Sequence, residues 1–337
     1  MKEYRLAFLG FGNVGQALGR LLLRKQDELA QDYDIRFLVT GISTGRHGAV
    51  INPQGIDLSQ ALAVMSTGGS LGASVDGLEF VHKCTAEVLF ESIPVNYTSG
   101  QPAVDYLRAA LQAGMHAVTA NKGPVVHAYR ELTDLAAEHG SKFFFESAVM
   151  DGAPIFSLFR AALPGARLYS LRGILNSTTN LILGRMEEGE SFEQAVAYAQ
   201  SIGIAETDPS GDVDGWDAAV KVAALATVLM GMPLKPQDVA RQGIRLITPE
   251  QARLARQAGK RWKLVCTAER RAEGVVGRVA PELVGSDSPL YGVQGTSSVV
   301  TFVTDVLPEL SIVEGNPGPE TTAYGMLADF INAVKNS

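Results

Sequence analysis

Leu6-Ala7-Phe8-Leu9-Gly10-Phe11-Gly12-Asn13-Val14-Gly15 is the stretch that decides the fold. Leu6 to Leu9 is a short apolar run that reads as a buried strand. Gly10, Gly12 and Gly15 follow at GxGxxG spacing, and Gln16 to Arg24 then carries Leu18, Leu21, Leu22 and Leu23 at helical spacing. In a strand-turn-helix unit each glycine has a task. The first makes the tight turn, the second lets backbone approach a pyrophosphate, and the third lets helix press on strand. Asn13 and Val14 lie between them, where the N–H groups of a helix start would hold the diphosphate. An ordinary glycine-rich turn is the competing reading. The strand before and the leucine-rich helix after favour nucleotide binding.

Working outward, the alternation continues. Ile35 to Thr40 reads as a second strand after the turn-like Asp32-Tyr33-Asp34, and Val88-Leu89-Phe90 as a third. Pro102 to Gly114 is an amphipathic helix, His116 to Thr119 a strand, Tyr129 to His139 a helix and Lys142 to Phe145 a strand. This is the order of an α/β fold, a Rossmann-like doubly wound parallel sheet over residues 1–145. Beyond Pro154 the texture changes. Ile155 to Ala162 reads as helical and Arg167 to Leu175 as a strand, with helices at Phe192 to Ile202, Gly215 to Met230 and Pro249 to Gly259. Lys263 to Thr267, Val275 to Ala280 and Val299 to Val303 read as strands, giving an α+β second domain over 146–314. Thr321 to Val334 is a terminal helix, and the segment 315–337 is expected to pack back on the first domain.

Length and composition agree with two domains and bound the function. The chain has 337 residues, more than one ordinary core, with 46% hydrophobic and 19% charged residues. That is a folded chain with ample core material. The net charge is −7 without a block of like charge, so the basic footprint of a nucleic-acid or lipid-surface binder is missing and a small molecule is the expected partner. Cys84 and Cys266 form no CxxC, and no signal-peptide pattern opens the chain, so a reducing cytoplasm is the expected compartment. The longest apolar stretch, Val222 to Leu234, is too short to span a bilayer.

Several motifs carry chemistry. The second strand of a dinucleotide fold usually ends in an acid for the ribose of NAD or an arginine for the 2′-phosphate of NADP. Here Gly41-Ile42-Ser43-Thr44-Gly45-Arg46 has no acid and does have Arg46, which tilts the choice to NADP, with NAD and a solvated Arg46 as the alternative. Asp208 to Asp217 packs four carboxylates ahead of an alanine-rich helix. Acids there serve as helix caps in the simplest reading. Asp217 is followed one turn later by Lys221, whose own next turn is almost wholly apolar. A lysine drawn into a buried helix needs a partner and is suited to proton transfer, although an i,i+4 Asp–Lys pair is more often a surface salt bridge. Glu206 precedes the cluster. Asn176-Ser177-Thr178-Thr179-Asn180 follows a strand as either a helix cap or a polar wall for a small zwitterion, and Lys122 lies just past the strand ending at Thr119. No tyrosine has a lysine four residues on, neither cysteine has the Asn-Cys context of an acylating dehydrogenase, and the five histidines form no HExxH pair.

Taken together, Gly10 to Gly15, Val118 to Pro124, Gly173 to Asn180 and Glu206 to Lys221 resemble homoserine dehydrogenase, in the right order over almost the whole chain. The resemblance implies reversible NAD(P)-linked interconversion of L-homoserine and L-aspartate 4-semialdehyde, on the route to threonine and methionine. It implies Lys221 as proton donor, Asp217 as its catalytic partner, and Glu206, Asp212 and Thr178 as substrate contacts. Ser92 and Lys122 would lie toward the nicotinamide, and Gly318 would also contact the cofactor. A monovalent cation such as Na+ would be held by Glu146, Val149, Asp151 and Ala153, partly through backbone carbonyls. A homodimer or homotetramer through the second domain's sheet is expected by the same resemblance. This chain departs from the family pattern at Ser177, at Met150-Asp151 and in the segment Gly315 to Ala323. Many relatives continue into a regulatory ACT domain; with the chain stopping at Ser337, feedback inhibition through such a domain is not expected. The contrasting hypothesis is a nucleotide-binding regulator that kept the fold without turnover.

Overall fold

The structure, a computed structural model, describes residues 2–335. They form two compact units, one of residues up to 154 together with those from 318, the other of residues 155–317.

The first unit begins with β1 (Lys2–Leu9), whose last four residues are all buried, as a central parallel strand covered on both faces requires. Helix α1 (Asn13–Tyr33) follows and buries Leu18, Leu21, Leu22 and Leu29. It runs well past Arg24. The apolar spacing thins out there, but the helix ends only at Asp34, a left-handed cap with φ 59°. Strands β2 (Ile35–Ser43) and β3 (Ala49–Ile51), helices α2 (Leu58–Ser66) and α3 (Gly77–Lys83), and β4 (Val88–Glu91) come next. Helix α4 (Ala103–Gln112), β5 (His116–Thr119), α5 (Lys122–Glu138) and β6 (Phe143–Phe144) complete the alternation. The sheet order is β3-β2-β1-β4-β5-β6. Every pairing is parallel except β2 with β3, which a short turn makes antiparallel because a parallel return would need a crossover. Strand order reverses direction at β1 and β4, so the carboxyl ends of these two strands mark the crevice where ligands bind in such sheets.

The second unit is an α+β layer. After a π-helical turn at Leu158–Ala162, where a regular helix was expected, come β7 (Leu168–Ile174), α6 (Ser177–Glu187), α7 (Phe192–Ser201), α8 (Ser210–Val213) and α9 (Trp216–Leu229). Then follow β8 (Ala240–Arg241), α10 (Pro249–Gln257), β9 (Lys260–Arg271), β10 (Gly274–Gly285), β11 (Ser298–Thr304) and β12 (Leu310–Glu314). Its sheet runs β12-β11-β7-β9-β10-β8, antiparallel apart from β8 with β10. Helix α9 is buried from Asp217 to Thr227 except at Lys221, and it lies against β9 and β10.

The last helix, α11 (Pro319–Lys335), belongs to the first unit. Its Ala323, Met326, Leu327 and Phe330 share one core with Tyr4, Phe8, Leu18 and Phe90, and the Phe330 ring meets Tyr4 and Phe90 edge-on. The same helix holds the segment after β6. The Glu146 amide donates to Asp329 at 2.6 Å, Ser147 Oγ to the Thr322 carbonyl at 2.7 Å, and Thr322 Oγ1 to Asp151 at 2.8 Å. These bonds tie the segment after β6 to the first unit, which runs to Pro154.

Candidate active site

Two sets of residues stand out, one in each unit. In the first unit, Gly10 takes φ +99°, and a Cβ there would lie 2.7 Å from the Ser92 backbone. Gly15 approaches the Gly10 carbonyl so closely that a Cβ would meet it at 2.5 Å. Gly12, by contrast, has nothing within 4 Å of its Cβ position. The first and third glycines are therefore required by the turn itself, while the second leaves open space. Gly12 caps α1 without a side-chain hydrogen bond, no acid sits in the first turn, and Asn13 and Val14 begin the helix. An anion at those N–H groups meets the positive end of the helix with no side chain competing.

Ser92 follows β4, with its hydroxyl on the Gly10 carbonyl at 3.0 Å and its amide on Leu9 at 2.9 Å. Lys122 opens α5, capped by Asn121, which accepts from the Gly123 amide at 3.0 Å. Between them lies a residue that motif reading missed. Glu91, with no exposed surface, accepts from Thr119 Oγ1 at 2.5 Å, the Ile93 amide at 2.8 Å and Asn121 Nδ2 at 3.4 Å. It thereby ties the ends of β4 and β5 to the cap of α5. Burial pushes its carboxyl up to about 7, against the pull of the three hydrogen bonds. At the end of an apolar strand, a glutamate reads as a step into solvent, and only the fold shows otherwise. Arg46 is exposed in the turn after β2, where Thr44 bonds to Gly48 through both its amide and its hydroxyl. Gly318 begins α11, its carbonyl accepting from both Thr321 and Thr322 hydroxyls.

The residues 146–153 form a tight segment in which Met150 and Asp151 both take positive φ, 55° and 47°. The Ala153 amide bonds to the Met150 carbonyl at 2.8 Å. Carboxylate and carbonyl oxygens from Glu146, Val149, Asp151 and Ala153 are the hard donors a monovalent cation takes. Among the described residues no group of three or more metal-ligating side chains exists, so such a cation would rest chiefly on backbone oxygens.

In the second unit, Asp217 and Lys221 stand on one face of α9 with Nζ 3.0 Å from Oδ2, their side chains only 10% and 16% exposed. The surface-pair alternative is thereby excluded for them. Lys221 Nζ also donates to the Leu175 carbonyl at 2.7 Å. Asn176, first of the run read as a helix cap or a polar wall, joins the acids. Its amide donates to Asp212 at 2.6 Å and to Asp217 at 3.1 Å, while its own oxygen caps α6 at the Thr179 amide. Thr178 is buried on the first turn of α6, with its hydroxyl on the Ile204 carbonyl at 3.3 Å. Burial first, and then the Asp217 carboxylate, raise the pKa of Asp212; Asn176, Thr178 and Lys221 pull it back. Glu206 is not drawn into this cluster by its side chain. It is exposed between α7 and α8, anchored through its carbonyl to Gln200 at 3.0 Å.

A doubly wound sheet with an open glycine turn, joined to a unit holding a buried lysine-carboxylate cluster, defines an NAD(P)-dependent oxidoreductase. The family models agree: one described as "Homoserine dehydrogenase, NAD binding domain" matches residues 10–146 and one described as "Homoserine dehydrogenase" matches 154–331. The chain belongs to the homoserine dehydrogenase family. A homoserine dehydrogenase of Methanocaldococcus jannaschii is 38% identical over 98% of this chain and 99% of its own. An NAD(+)-dependent homoserine dehydrogenase of Pseudomonas canavaninivorans is 34% identical over 98% of this chain and 96% of its own. Among solved structures, a hyperthermophilic archaeal homoserine dehydrogenase in complex with NADPH superposes with a TM-score of 0.85 at 29% identity, covering 100% of this chain and 99% of that one. The second family model runs on through most of α11, although that helix packs in the nucleotide unit. No helix of the described residues is long and apolar enough to cross a membrane.

Proposed function

We propose that Lys221 delivers the proton in the interconversion of L-aspartate 4-semialdehyde and L-homoserine, with Asp217 holding its ammonium in place. NAD(P)H, when bound, supplies the hydride. Reduction of the aldehyde leaves a developing alkoxide, and a lysine fixed by Asp217 and the Leu175 carbonyl keeps one N–H to offer it. The observation that carries this reading is the charge of the cluster. Asp212, Asp217 and Lys221 sum to −1 in a partly buried setting, which an arriving ammonium offsets. The substrate brings that ammonium, Asp212 and Thr178 receive it, and Glu206, exposed between α7 and α8 and outside the cluster in this structure, joins them when substrate binds.

For the nucleotide we infer contacts at Gly10, Gly12, Asn13, Val14, Gly15, Ser92, Lys122 and Gly318, and a preference for NADP through Arg46, since β2 ends without an acid. The named relatives include both an NAD(+)-dependent enzyme and an NADPH complex, so they do not choose between the two. A monovalent cation such as Na+ at Glu146, Val149, Asp151 and Ala153 would stiffen the segment leading to the unit boundary. The reading extends to threonine and methionine biosynthesis, to the cytoplasm, and to a homodimer or homotetramer built on the second unit's sheet, which exposes Tyr169, Val276, Leu283 and Val313.

The test is direct. Absorbance of the reduced nicotinamide should rise when homoserine is added with NADP+ and fall when aspartate semialdehyde is added with NADPH. Tight nucleotide binding with no turnover in either direction would instead mark a regulator.

A further inference from the structure

The second unit has another cavity, of about 150 Å3, along the carboxyl-terminal half of α6, and it shares no residue with the Asp212, Asp217 and Lys221 cluster. Asn180, Glu187, Arg261 and Lys263 line it deep down, with Arg256 and Glu188 at its mouth. The cavity far exceeds the roughly 10–15 Å3 that one water needs.

Its polar groups are unevenly satisfied. Lys263, 1% exposed, donates to Asn180 Oδ1 at 2.7 Å and to the Val293 carbonyl at 2.5 Å. Arg185 is held by Glu190 and stacks on the Tyr198 ring. Glu187 is different. Its side chain is 3% exposed, yet Oε1 has no hydrogen-bond partner among the described residues, and neither has Arg261 Nε. The two charges face each other at 3.7 Å without a hydrogen bond. Such a pair loses its hydration without recovering the bonds that would offset the loss. Burial raises the Glu187 carboxyl, and Arg261 is the foremost charge pulling it back.

The charges select the ligand. A simple anion meets Arg261 and Arg256 but is repelled by Glu187. A simple cation meets Glu187 but is repelled by Arg256, Arg261 and Lys263. Only a ligand carrying both charges side by side offers a partner to each of the two side chains. We propose that this cavity is a second small-molecule site for an α-amino acid, whose ammonium donates to Glu187 and whose carboxylate accepts from Arg261, with Arg256 guarding the mouth.

The experiment is isothermal titration of the full chain, saturated with NADPH, with L-serine and L-valine as probes. At least one probe should bind, and binding should weaken tenfold or more in Glu187→Gln and in Arg261→Met. For serine, N-acetyl-L-serine lacks the ammonium and L-serinamide lacks the carboxylate, so both should bind correspondingly more weakly. A thermal scan and circular dichroism of the same variants check that the second unit has folded. Arg256→Ala, an exposed change that keeps the fold, should weaken binding severalfold and covers the case in which a buried variant does not fold. Heat that survives Glu187→Gln and disappears in Asp212→Asn belongs to the reaction site and overturns the proposal, whichever reaction that site performs. Absence of binding by both probes overturns it as well.

Discussion

The Asp217 carboxylate and the Lys221 ammonium lie 3.0 Å apart, one turn from each other on a helix that is otherwise packed on nearly all sides. At such burial the partner is what holds the ammonium in place. Replacing Lys221 by Ala should reduce kcat by on the order of 10²-fold or more while NADPH still binds. Steady-state rates beside a fluorescence titration of NADPH give the answer, and activity within a few-fold of wild type would remove Lys221 from the proton-transfer role.

Asp212 carries a cost in stability. Its folded pKa lies above its ordinary value, so the folded state holds the proton more tightly than the unfolded chain does. That contribution favours the fold below the unfolded pKa and is lost as pH rises through the folded one. At neutral pH Asp212→Asn should therefore raise Tm while KM for homoserine climbs tenfold or more. A thermal scan showing a lower Tm would contradict the sign.

Glu91 behaves in the same direction. With a folded value of about 7 against an ordinary 4.5, the stability it lends is full below pH 4.5 and gone above about 7. The difference corresponds to on the order of 3 kcal/mol. The Tm advantage of Glu91→Gln over wild type should grow between pH 5 and 8 and then level off. A flat difference across that range would mean the carboxyl does not titrate there.

The glycines of the first turn should separate fold from binding. Gly15→Ala forces a Cβ to within 2.5 Å of the Gly10 carbonyl and should destabilise the first unit by several degrees in Tm or abolish soluble protein. Gly12→Ala meets nothing within 4 Å and should keep its Tm while weakening NADPH binding tenfold or more. Equal binding by Gly12→Ala and wild type would place the nucleotide elsewhere.

Arg46→Ala should lower the preference for NADPH over NADH by about tenfold through loss of one charge-assisted phosphate contact. The ratio of kcat/KM for the two nucleotides reads this out, and an unchanged ratio assigns the phosphate to another residue.

What the residues disclosed in advance was what is local. Gly10 to Gly15 announced the nucleotide turn because strand, turn and helix are contiguous, and Asp217 with Lys221 stood out because a helix brings i and i+4 together. Asn176 was legible as part of a cap or polar wall but its partners were not, since the carboxylates it joins are 36 and 41 residues away. Helix α6 was announced only by the helix-cap reading of Asn176 to Asn180, which apolar periodicity did not support. It starts Ser-Thr-Thr-Asn, poor helix formers that are buried here by tertiary packing. Helices α2 and α3 and strands β3, β8 and β12 were missed because they are short and carry little periodicity. Glu91 and the Glu187–Arg261 pair depend on strands meeting across the sequence, which no window of residues contains.

The core that joins Phe330 to Tyr4 and Phe90 has a consequence for how the chain is made. The Tyr4 hydroxyl bonds to the Val334 carbonyl, 330 positions away, so the nucleotide unit cannot close its core until the residues up to Val334 have been synthesised. The second unit, continuous from 155 to 317, is complete before α11 emerges. Domains made of one uninterrupted segment fold as they are produced, whereas contacts of such long separation are slow to form. The newborn protein therefore passes through an interval in which its substrate unit is finished and its nucleotide unit still lacks its closing helix.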